Sequence, residues 1–471
     1  MNLGIINKII KAYDIRGLVD DELSADFAFA LGIAFAKFVE REREPATVVV
    51  GEDMRPSSPD LATAFSDGVT SQGLDVIRIG LSSTDQLYFA SGHLNLPGAM
   101  FTASHNPAAY NGVKLCKSGA KPIGQESGLL WLKEQIVGSL TEGFPIPNRP
   151  VGKETQRDLL PEYVSYLFSL FAKNIFDKTF QGRPLKIAID AGNGMGGHTA
   201  PAVMKQINAQ VDGIYFELDG TFPNHEANPI DASNLVDLQI LVKEKSADIG
   251  LAFDGDADRC FLVDEKGNLV SPSALTALIA ERELKKYPGA PVIYNLICSR
   301  AVPEVILKNG GEPLKSRVGH SYIKKMMSDH DAVFGGEHSG HFYFKDFWCA
   351  DSGMLAALHA IAALLDSQTP LSELISQYNT YFLSGEINTQ VADTQRTIAQ
   401  IREHFSNADQ IGANETLHFD ELDGLTVSAA NWSFNVRPSN TEPLLRLNVE
   451  AGSEAEMMRL QELVLRLMAN R

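Results

Sequence analysis

The chain lacks the features that would place it in a membrane, secreted or low-complexity class of protein. No apolar run approaches the roughly 20 residues that a membrane helix needs. The most apolar helix candidate, Met354–Leu365, includes His359 and is typical of a core helix. The N-terminal apolar stretch is too short for a signal sequence and has no small-residue cleavage site. We therefore expect a globular, cytoplasmic protein with no membrane partner.

Cysteine and positive charge are also scarce. Only four cysteines occur in 471 residues, far apart and without a CxxC pair, so we expect free thiols. Lysine and arginine number 41 against 59 acidic residues, which gives a net charge of −18 at pH 7. This balance argues against a nucleic-acid or anionic-membrane partner. It leaves room for a phosphorylated small molecule, because a few arginines in a cleft can bind phosphate.

The length and the pattern of strands indicate several domains. A chain of 471 residues exceeds one core of about 100–200 residues. Three successive stretches alternate short apolar strands with helices, which predicts βαβ units with parallel or mixed sheets. The part after about residue 370 has strands and a closing helix near Ser453, typical of a smaller α+β domain. We predict four domains around a central cleft, at 1–150, 151–253, 254–369 and 370–471, with a Pro-rich linker at 144–151.

Individual strands are predicted at short apolar runs. The predicted strands are Thr47–Val50, Asp75–Ile79 and Ala99–Thr102, then Leu185–Asp190, Val211–Glu217 and Asp248–Phe253, then Cys260–Val263, Pro291–Leu296 and Ala332–Phe334, and finally Gly385–Thr389, Leu425–Ser428, Ser433–Val436 and Leu444–Glu450.

An aspartate triplet follows one predicted strand directly. Asp254, Asp256 and Asp258 alternate with small residues and precede Arg259. If the backbone turns here, the three carboxylates converge on one hard cation, and oxygen ligands suit Mg²⁺ or Ca²⁺. An EF-hand is disfavoured because Arg259 stands where that loop needs glycine. An aspartyl-phosphate nucleophile at Asp254 and an exposed acidic turn remain alternatives.

A serine follows another predicted strand, in the segment TASHNP at 102–107. Ligands gather beyond the carboxyl ends of strands in open α/β sheets, so Ser104 is a candidate nucleophile or phosphoryl carrier. The G-x-S-x-G pattern of a hydrolase is absent. Lys114, a few residues later, is a candidate for proton transfer. A plain turn and a solvated lysine are the alternatives for these segments.

Three further segments combine polar side chains with turn residues. GEHSGH at 336–341 has glycines that let a ligand approach the backbone. RPSNTEP at 437–443 groups a guanidinium, hydroxyls and an amide that can bind phosphate. AGNGMGG at 191–197 matches G-x-G-x-x-G, but a lone match is weak, and a strand-to-helix turn is the favoured interpretation.

Together these segments resemble the α-D-phosphohexomutase family. KAYDIRG at 11–17, TASHNP, DGDADR at 254–259, GEHSGH and RPSNTEP occur in that family's order and spacing. The resemblance implies a four-domain fold with three related α/β domains with mixed sheets and a C-terminal α+β domain. Within the family the chain looks most like the bacterial phosphomannomutase members. That implies conversion of mannose 6-phosphate to mannose 1-phosphate through a phosphoserine and a hexose 1,6-bisphosphate, which also acts as activator.

The resemblance also implies a role for each site residue. Phosphorylated Ser104 and the three aspartates would hold Mg²⁺, and Arg16 and Arg259 would offset charge. The implied acid/base candidates are Lys114, His105 and His320. The implied substrate-binding residues are Tyr13, Glu337, Ser339, His341, Arg437, Ser439, Asn440 and Thr441.

Two departures from the family leave the preferred sugar open. Ile297 stands where some dual-specificity members have lysine, and His338 where several relatives have methionine. A phosphoglucomutase or dual-specificity enzyme is the nearest alternative. A sugar phosphatase and a non-catalytic metal-binding protein are more distant ones. The oligomer is expected to be a monomer or a homodimer.

Overall fold

A computed structural model describes residues 3–11, 13–143, 147–407, 416–439 and 444–469. In these ranges the chain forms four β-sheets with helices packed on them. We refer to the part of the chain built on each sheet as a unit. The first unit spans 3–156, the second 160–270, the third 271–378 and the fourth 382–469.

The first unit has a seven-stranded mixed sheet. Its strand order is β1-β5-β4-β2-β3-β7, with β6 paired to β5. Its strands are β1 Ile15–Leu18, β2 Thr47–Glu52, β3 Asp75–Leu81, β4 Gly98–Phe101, β5 Tyr110–Lys117, β6 Lys121–Pro122 and β7 Glu154–Gln156. Its helices are α1 Leu3–Ile9, α2 Ala25–Glu42, α3 Ser58–Ser71, α4 Thr84–Leu94 and α5 Leu130–Glu142.

The second and third units each have a five-stranded mixed sheet, in the orders β12-β11-β10-β8-β9 and β14-β13-β15-β16-β17. The second contains β8 Leu185–Asp190, β9 Ala209–Ile214, β10 Ile249–Phe253, β11 Cys260–Asp264 and β12 Leu269–Val270, with α6 Leu160–Ser169, α7 Gly196–Met204 and α8 Val236–Lys245. The third contains β13 Pro291–Asn295, β14 Glu312–Ser316, β15 Phe334–Gly336, β16 Phe342–Phe344 and β17 Ala350–Asp351, with α9 Pro272–Lys286, α10 Ala301–Lys308, α11 His320–His330, α12 Gly353–Ser367 and α13 Leu371–Ser376.

These three sheets share one topology. In each, three parallel strands are followed by a strand that returns antiparallel to the last of them. The returning connections are β4 to β5, β10 to β11 and β15 to β16. The same loop position therefore recurs at the carboxyl edge of all three sheets.

The fourth unit has an antiparallel sheet in the order β18-β22-β21-β20-β19. Its strands are β18 Phe382–Gln390, β19 His418–Asp420, β20 Leu425–Ser428, β21 Trp432–Pro438 and β22 Leu444–Ala451, and its helices are α14 Thr394–Ser406 and α15 Glu454–Ala469. The predicted division into three related α/β units and one α+β unit is confirmed.

The domain boundaries that we predicted need correction. We assigned Cys260–Val263 to the third stretch, but β11 pairs with β10 along its whole length and so belongs to the second sheet. The predicted boundary at 253 therefore falls inside that sheet. The boundary at 150 cuts off β7, which pairs with β3. The boundary at 369 cuts off α13, whose Leu371 and Ile375 are buried in the core shared by the second and third units. The predicted linker at 144–151 lies partly outside the described residues.

Helix α12 is buried between the second and third units. Ser352 caps its first turn by accepting a hydrogen bond from the Leu355 amide at 3.0 Å. Every residue from Gly353 to Leu365 is buried, because the helix packs on α9 and also on β10 and β11 of the second sheet. The predicted core helix is thus confirmed. Among the described residues, no helix combines the length and apolarity needed to cross a bilayer.

Candidate active site

The three returning loops carry three of the motifs found in the sequence. TASHNP lies between β4 and β5, DGDADR between β10 and β11, and GEHSGH between β15 and β16. The loops also meet one another: Arg259 and His341 form an isolated antiparallel bridge, and the Ser104 hydroxyl bonds to Asp254. One repeated topological position therefore brings three chemically distinct segments to one place, as expected at the carboxyl ends of parallel strands.

Ser104 is buried at the centre of this meeting point. Its Oγ donates to Asp254 Oδ2 at 2.8 Å, although 150 residues separate the two in sequence. Its backbone has φ 51°, a left-handed conformation that is unfavourable for a residue with a Cβ. The Ser104 amide donates to Thr102 Oγ1 at 2.9 Å. The loop thus presents the hydroxyl to the aspartate triplet.

The aspartate triplet forms a buried oxygen cluster. Asp254, Asp256 and Asp258 are at most 1% exposed, and one carboxylate oxygen from each lies within 4.8 Å of the others. Asp256 Oδ1 and Asp258 Oδ1 have no hydrogen-bond partner. Buried carboxylate oxygens without partners are costly, and a cation bound between them would remove that cost. The donor set fits a hard divalent metal ion.

Tight packing explains why glycines surround the cluster. A Cβ on Gly255 would lie 2.3 Å from the Ser104 carbonyl oxygen, and one on Gly194 would lie 2.6 Å from the Gly255 carbonyl oxygen. The AGNGMGG segment therefore packs directly against the backbone of the DGDADR loop. Its glycines permit close approach between backbones, consistent with the turn we favoured over a dinucleotide site.

Lys114 projects from β5 between two of the carboxylates. Its Nζ donates to Asp256 Oδ2 at 2.6 Å and to Asp258 Oδ2 at 2.5 Å. Burial by itself lowers the pKa of Lys114, but the two carboxylates outweigh it and hold that pKa well above the usual range. The two carboxylates therefore stabilise the protonated form of Lys114.

Arg259 and His105 complete the surroundings of the serine. Arg259 is 2% exposed and donates through Nε to Asp254 Oδ2 at 2.8 Å, and through Nη2 to Ser104 Oγ at 3.3 Å. His105 Nδ1 lies 3.2 Å from Ser104 Oγ and close to Arg259. The Arg259 charge and burial together hold the pKa of His105 well below its usual value. The imidazole is therefore neutral, which lets it lie beside the Arg259 guanidinium without charge repulsion.

Burial also acts on Asp254. It raises the pKa of Asp254 to about 7, against the opposing charge of Arg259 and with the like charges of Asp256 and Asp258 adding to the shift. Asp256, which accepts bonds from Lys114 and Thr84, has a pKa far below its usual value because these partners overcome burial. The two carboxyls thus differ in proton affinity within one cluster.

Arg16 and Tyr13 come from the first motif. Arg16 donates through Nη1 to Asn106 Oδ1 at 2.5 Å and through Nε to Asp14 Oδ2 at 2.7 Å. It therefore lies beside the TASHNP loop, which we call the serine loop. Tyr13 contacts Tyr322 of α11 edge-to-face, with ring centroids 6.1 Å apart. The first motif therefore bridges the serine loop and the third unit.

The GEHSGH loop is held by its own sheet. Glu337 is 2% exposed and accepts from the Gly319 amide at 3.1 Å and from the Tyr343 hydroxyl at 2.6 Å. Ser339 Oγ lies 2.9 Å from His341 Nδ1, and His341 Nε2 lies 3.6 Å from Asp258 Oδ1. Burial lowers the pKa of His341. Through His341 the loop reaches the aspartate cluster.

The RPSNTEP motif, which we predicted to bind phosphate, lies only partly within the described residues. Arg437 is 5% exposed and donates to Glu386 Oε2 at 2.5 Å and to Asn448 Oδ1 at 3.0 Å within the fourth sheet. The Ser439 amide donates to the Leu444 carbonyl at 2.9 Å. Asn440 and Thr441 lie outside the described residues. His320 begins α11, and its side chain is likewise outside what the structure describes.

Sequence reasoning missed several residues that contact these loops. Thr84 follows β3 and donates to Asp256 Oδ2 at 2.5 Å. Arg55 follows β2 and binds the serine loop. Lys324 and Asp351 form a buried ion pair at 2.5 Å, and Asp351 groups with Asp258 and His341. Thr84 and Arg55 both follow the carboxyl end of a parallel strand, which is the signal that would have identified them.

The fold and the site define a class of phosphosugar mutase. Profiles of the phosphoglucomutase/phosphomannomutase family match all four parts of the chain: α/β/α domain I at 7–135, domain II at 161–267, domain III at 271–381 and the C-terminal domain at 386–467. The chain belongs to this family.

Individual relatives agree along nearly the whole length. The chain is 38% identical to a phosphomannomutase of Escherichia coli K12 over 455 residues, 95% of this chain and 96% of that protein. It is 36% identical to proteins named phosphohexose mutases from Xanthomonas campestris, over 96% of this chain and 97% of theirs. A crystal structure of a phosphoglucomutase/phosphomannomutase family protein from Burkholderia thailandensis has a TM-score of 0.85 and 31% identity, and the match covers 99% of this chain and 97% of that one.

Proposed function

We propose that this protein is a Mg²⁺-dependent phosphohexomutase that interconverts mannose 6-phosphate and mannose 1-phosphate through a phosphoserine at Ser104. The observation that carries the proposal is the 2.8 Å bond between Ser104 Oγ and Asp254 Oδ2, made between loops of two units inside a buried carboxylate cluster. A hydroxyl held against a cation site and an arginine suits a phosphoryl carrier.

The metal would be held by the three aspartates together with an oxygen of the serine phosphate. When bound, Mg²⁺ supplies charge neutralisation at the transferring phosphoryl group. Arg259 and Arg16 add positive charge from the two sides of the serine loop. These residues form a fixed electrostatic environment, which is what phosphoryl transfer needs most.

Proton transfer accompanies attack by the sugar hydroxyl and departure of the serine oxygen. Lys114 is protonated in its carboxylate setting and is placed to act as the general acid. His105, neutral and 3.2 Å from Ser104 Oγ, is placed to accept a proton. His341 lies beside the metal cluster, and His320 at the start of α11 is a further acid/base candidate.

Substrate recognition would involve the third and fourth units. Glu337, Ser339 and His341 would bond the sugar hydroxyls, and Tyr13 would line the entrance. Arg437, Ser439, Asn440 and Thr441 would bind the phosphate that is not reacting. A clamp on a separate unit can hold either phosphate of a hexose 1,6-bisphosphate if the fourth unit loosens while the intermediate turns. That bisphosphate would also serve as activator.

A second candidate is a phosphoglucomutase or a dual-specificity enzyme. Ile297 and His338, the two departures from the family pattern, line one small cleft together with residues of the fourth unit. We expect residue differences in this cleft to change the preferred sugar and to leave the phosphoryl-transfer step unchanged. We retain mannose because the first relatives are named phosphomannomutases over nearly their full length. A monomer or homodimer in the cytoplasm, with all four cysteines unpaired, completes the proposal.

The test is a product assay on both sugars. Purified protein is given mannose 1-phosphate or glucose 1-phosphate with Mg²⁺ and a trace of hexose 1,6-bisphosphate. We expect 6-phosphate product without inorganic phosphate, and a higher kcat/KM for mannose 1-phosphate. Release of inorganic phosphate as the main product would contradict the mutase and support a phosphatase. A higher kcat/KM for glucose 1-phosphate would favour the second candidate.

A further inference from the structure

The serine loop has an unusual backbone that something must hold in place. Ser104 has φ 51°, and non-glycine residues persist in that region only where their surroundings over-determine it. Within the loop, the Ser104 amide bonds to Thr102 Oγ1 and the Asn106 amide bonds to the Ala103 carbonyl. These bonds satisfy two amides of the loop and one carbonyl, that of Ala103; the carbonyls of Ser104 and Asn106 are bound from outside the loop.

Arg55 binds those carbonyl oxygens. Its Nη2 donates to the carbonyls of Ser104 and Asn106 at 2.9 and 2.7 Å. Its Nη1 donates to the carbonyls of Pro107 and Tyr110 at 3.0 and 2.9 Å. One guanidinium, 1% exposed, therefore ties together four peptide groups across the whole loop. A planar group with fixed donor directions is needed for this, and an ammonium group cannot reproduce it.

Arg55 is itself held between two units. Its Nε lies 3.3 Å from Asp53 Oδ2, and Asp53 Oδ1 accepts from Ser58 Oγ at 2.6 Å. From the second unit, the Phe222 ring covers the guanidinium at 5.1 Å. A Cβ on Gly220 would lie 2.6 Å from the Arg55 Cα, so these two segments of the backbone are in close contact. The arginine is thus fixed from the first unit and covered by the second, which also carries the aspartate triplet.

We infer that Arg55 is a positioning residue that sets the Ser104 hydroxyl in line with the aspartate cluster. Its hydrogen bonds to the serine loop all go to main-chain carbonyls, so it acts through the backbone of that loop. The inference rests on the proposed function of Ser104 as phosphoryl carrier. It adds that the alignment of the carrier is set by a guanidinium on a different strand and covered by the neighbouring unit.

Alignment of this kind should appear in the rate of transfer rather than in substrate affinity. A misplacement of about 1 Å at a reacting group costs about 100-fold in rate. Arg55→Lys keeps the charge and removes the four-carbonyl fork. We expect kcat and the single-turnover rate of phosphoryl uptake by Ser104 to fall by about 100-fold, while KM changes little because the phosphate clamp lies in the fourth unit.

The experiment compares three variants of the full chain. Arg55→Lys and Arg55→Ala are assayed beside Arg78→Lys, a control in the same sheet whose guanidinium pairs with Glu52 and Thr63 instead. Each variant is measured for kcat, KM, Ser104 phosphorylation by glucose 1,6-bisphosphate, and thermal unfolding. Arg55→Ala is also assayed with millimolar guanidinium and, separately, with methylammonium at equal ionic strength.

The expected result is a loss of kcat in both Arg55 variants that guanidinium, but not methylammonium, partly restores in Arg55→Ala. If Arg55→Ala does not fold, Arg55→Lys alone decides. Full kcat in folded Arg55→Lys, or equal rescue by both cations, would overturn the inference while leaving the mutase activity of the wild type intact. Absence of mutase activity in the wild type and in Arg78→Lys would instead overturn the proposed function on which the inference rests.

Discussion

Two regions of the candidate site are supported in different ways, the pair of TASHNP and DGDADR loops and the RPSNTEP motif of the fourth unit. Buried bonds between units hold the two loops: Asp254 to Ser104, and Asp256 to Thr84 and to Lys114. The charge of Arg437 is instead paired with Glu386 inside its own sheet. We therefore expect a rigid centre shared by three units, where the chemistry takes place, and a phosphate clamp on a unit with its own internal support.

The fourth unit joins the third along one edge. Glu450 accepts from the Ser299 hydroxyl and from the Arg300 amide, and Lys315 pairs with Asp420 at 3.0 Å. The Val318 amide donates to Asp423 at 3.3 Å. Such polar contacts break and re-form more readily than a packed core. This arrangement suits a clamp that must release one phosphate and take the other.

The largest predicted effect is at the rigid centre. Ser104→Ala removes the hydroxyl that would carry the phosphoryl group, so mutase activity should fall by about three orders of magnitude or more, as for loss of a covalent nucleophile. Steady-state assay with mannose 1-phosphate measures this. Substantial activity in folded Ser104→Ala would remove the proposed carrier.

Lys114→Met should have the next largest effect. It removes the group that bridges Asp256 and Asp258, and loss of a general acid costs about 10²–10⁴-fold in kcat. Lys117→Met is the matched control, because Lys117 lies on the same strand but pairs with Glu42. Equal kcat values for the two variants would exclude an acid/base role for Lys114.

A smaller effect is expected in the fourth unit. Arg437→Lys keeps the charge but loses the forked geometry that binds phosphate, so KM should rise by about tenfold, the equivalent of one charge-assisted bond. Exposed Arg466 on α15 provides the control, as Arg466→Lys. If Arg437→Lys lowered kcat as strongly as Lys114→Met does, the contrast between a rigid centre and a binding clamp would be lost.

The last prediction concerns stability rather than activity, through its pH dependence. Asp85 accepts from Tyr163 of the second unit at 2.7 Å and from Ser352 of the third at 2.6 Å, and burial raises its pKa to about 6 from 3.8. Between these values the native state holds a proton that the unfolded state lacks, so this carboxyl lowers stability as pH rises. Asp85→Asn removes that dependence.

Denaturant unfolding at several pH values measures the change. The free energy of unfolding of Asp85→Asn relative to wild type should increase by about 2 kcal/mol between pH 4 and pH 6.5. Asp67→Asn, an exposed change on α3, should show no such trend. A constant difference between Asp85→Asn and wild type would show that Asp85 titrates alike in both states.

The difference between contacts within a unit and contacts between units also explains what the sequence could predict. Strands such as β4 and β10 are short, apolar and wholly buried, so their positions and the loops after them were predictable from local pattern. Our prediction that Cys260–Val263 belongs to the third sheet was wrong, because β11 pairs with β10. Strand pairing depends on tertiary structure, and a single sequence does not show which neighbour a strand pairs with. Residues whose chemistry is visible in a motif, such as Ser104 and Asp254, could be named as candidates, and the structure brings these two together.

Two residues that bind the site loops were missed. Arg55 lies in GEDMRPSS, just past the end of β2; that position marks it as a candidate, but its partners are carbonyl groups, and no motif shows which ones it binds. Thr84 bonds to the Asp256 side chain across 172 positions. The Thr84 contact depends on the relative placement of two units, and the Arg55 contacts depend on how two loops of one unit pack; hydrophobic periodicity encodes neither.

The most direct measurement is the site of phosphorylation. The purified protein is incubated with glucose 1,6-bisphosphate and Mg²⁺, digested, and its peptides are analysed by mass spectrometry, with Ser104→Ala treated in parallel. The account predicts one phosphoryl group, on Ser104, and none in the variant. A phosphoryl group on Asp254, or one that persists in Ser104→Ala, would contradict it.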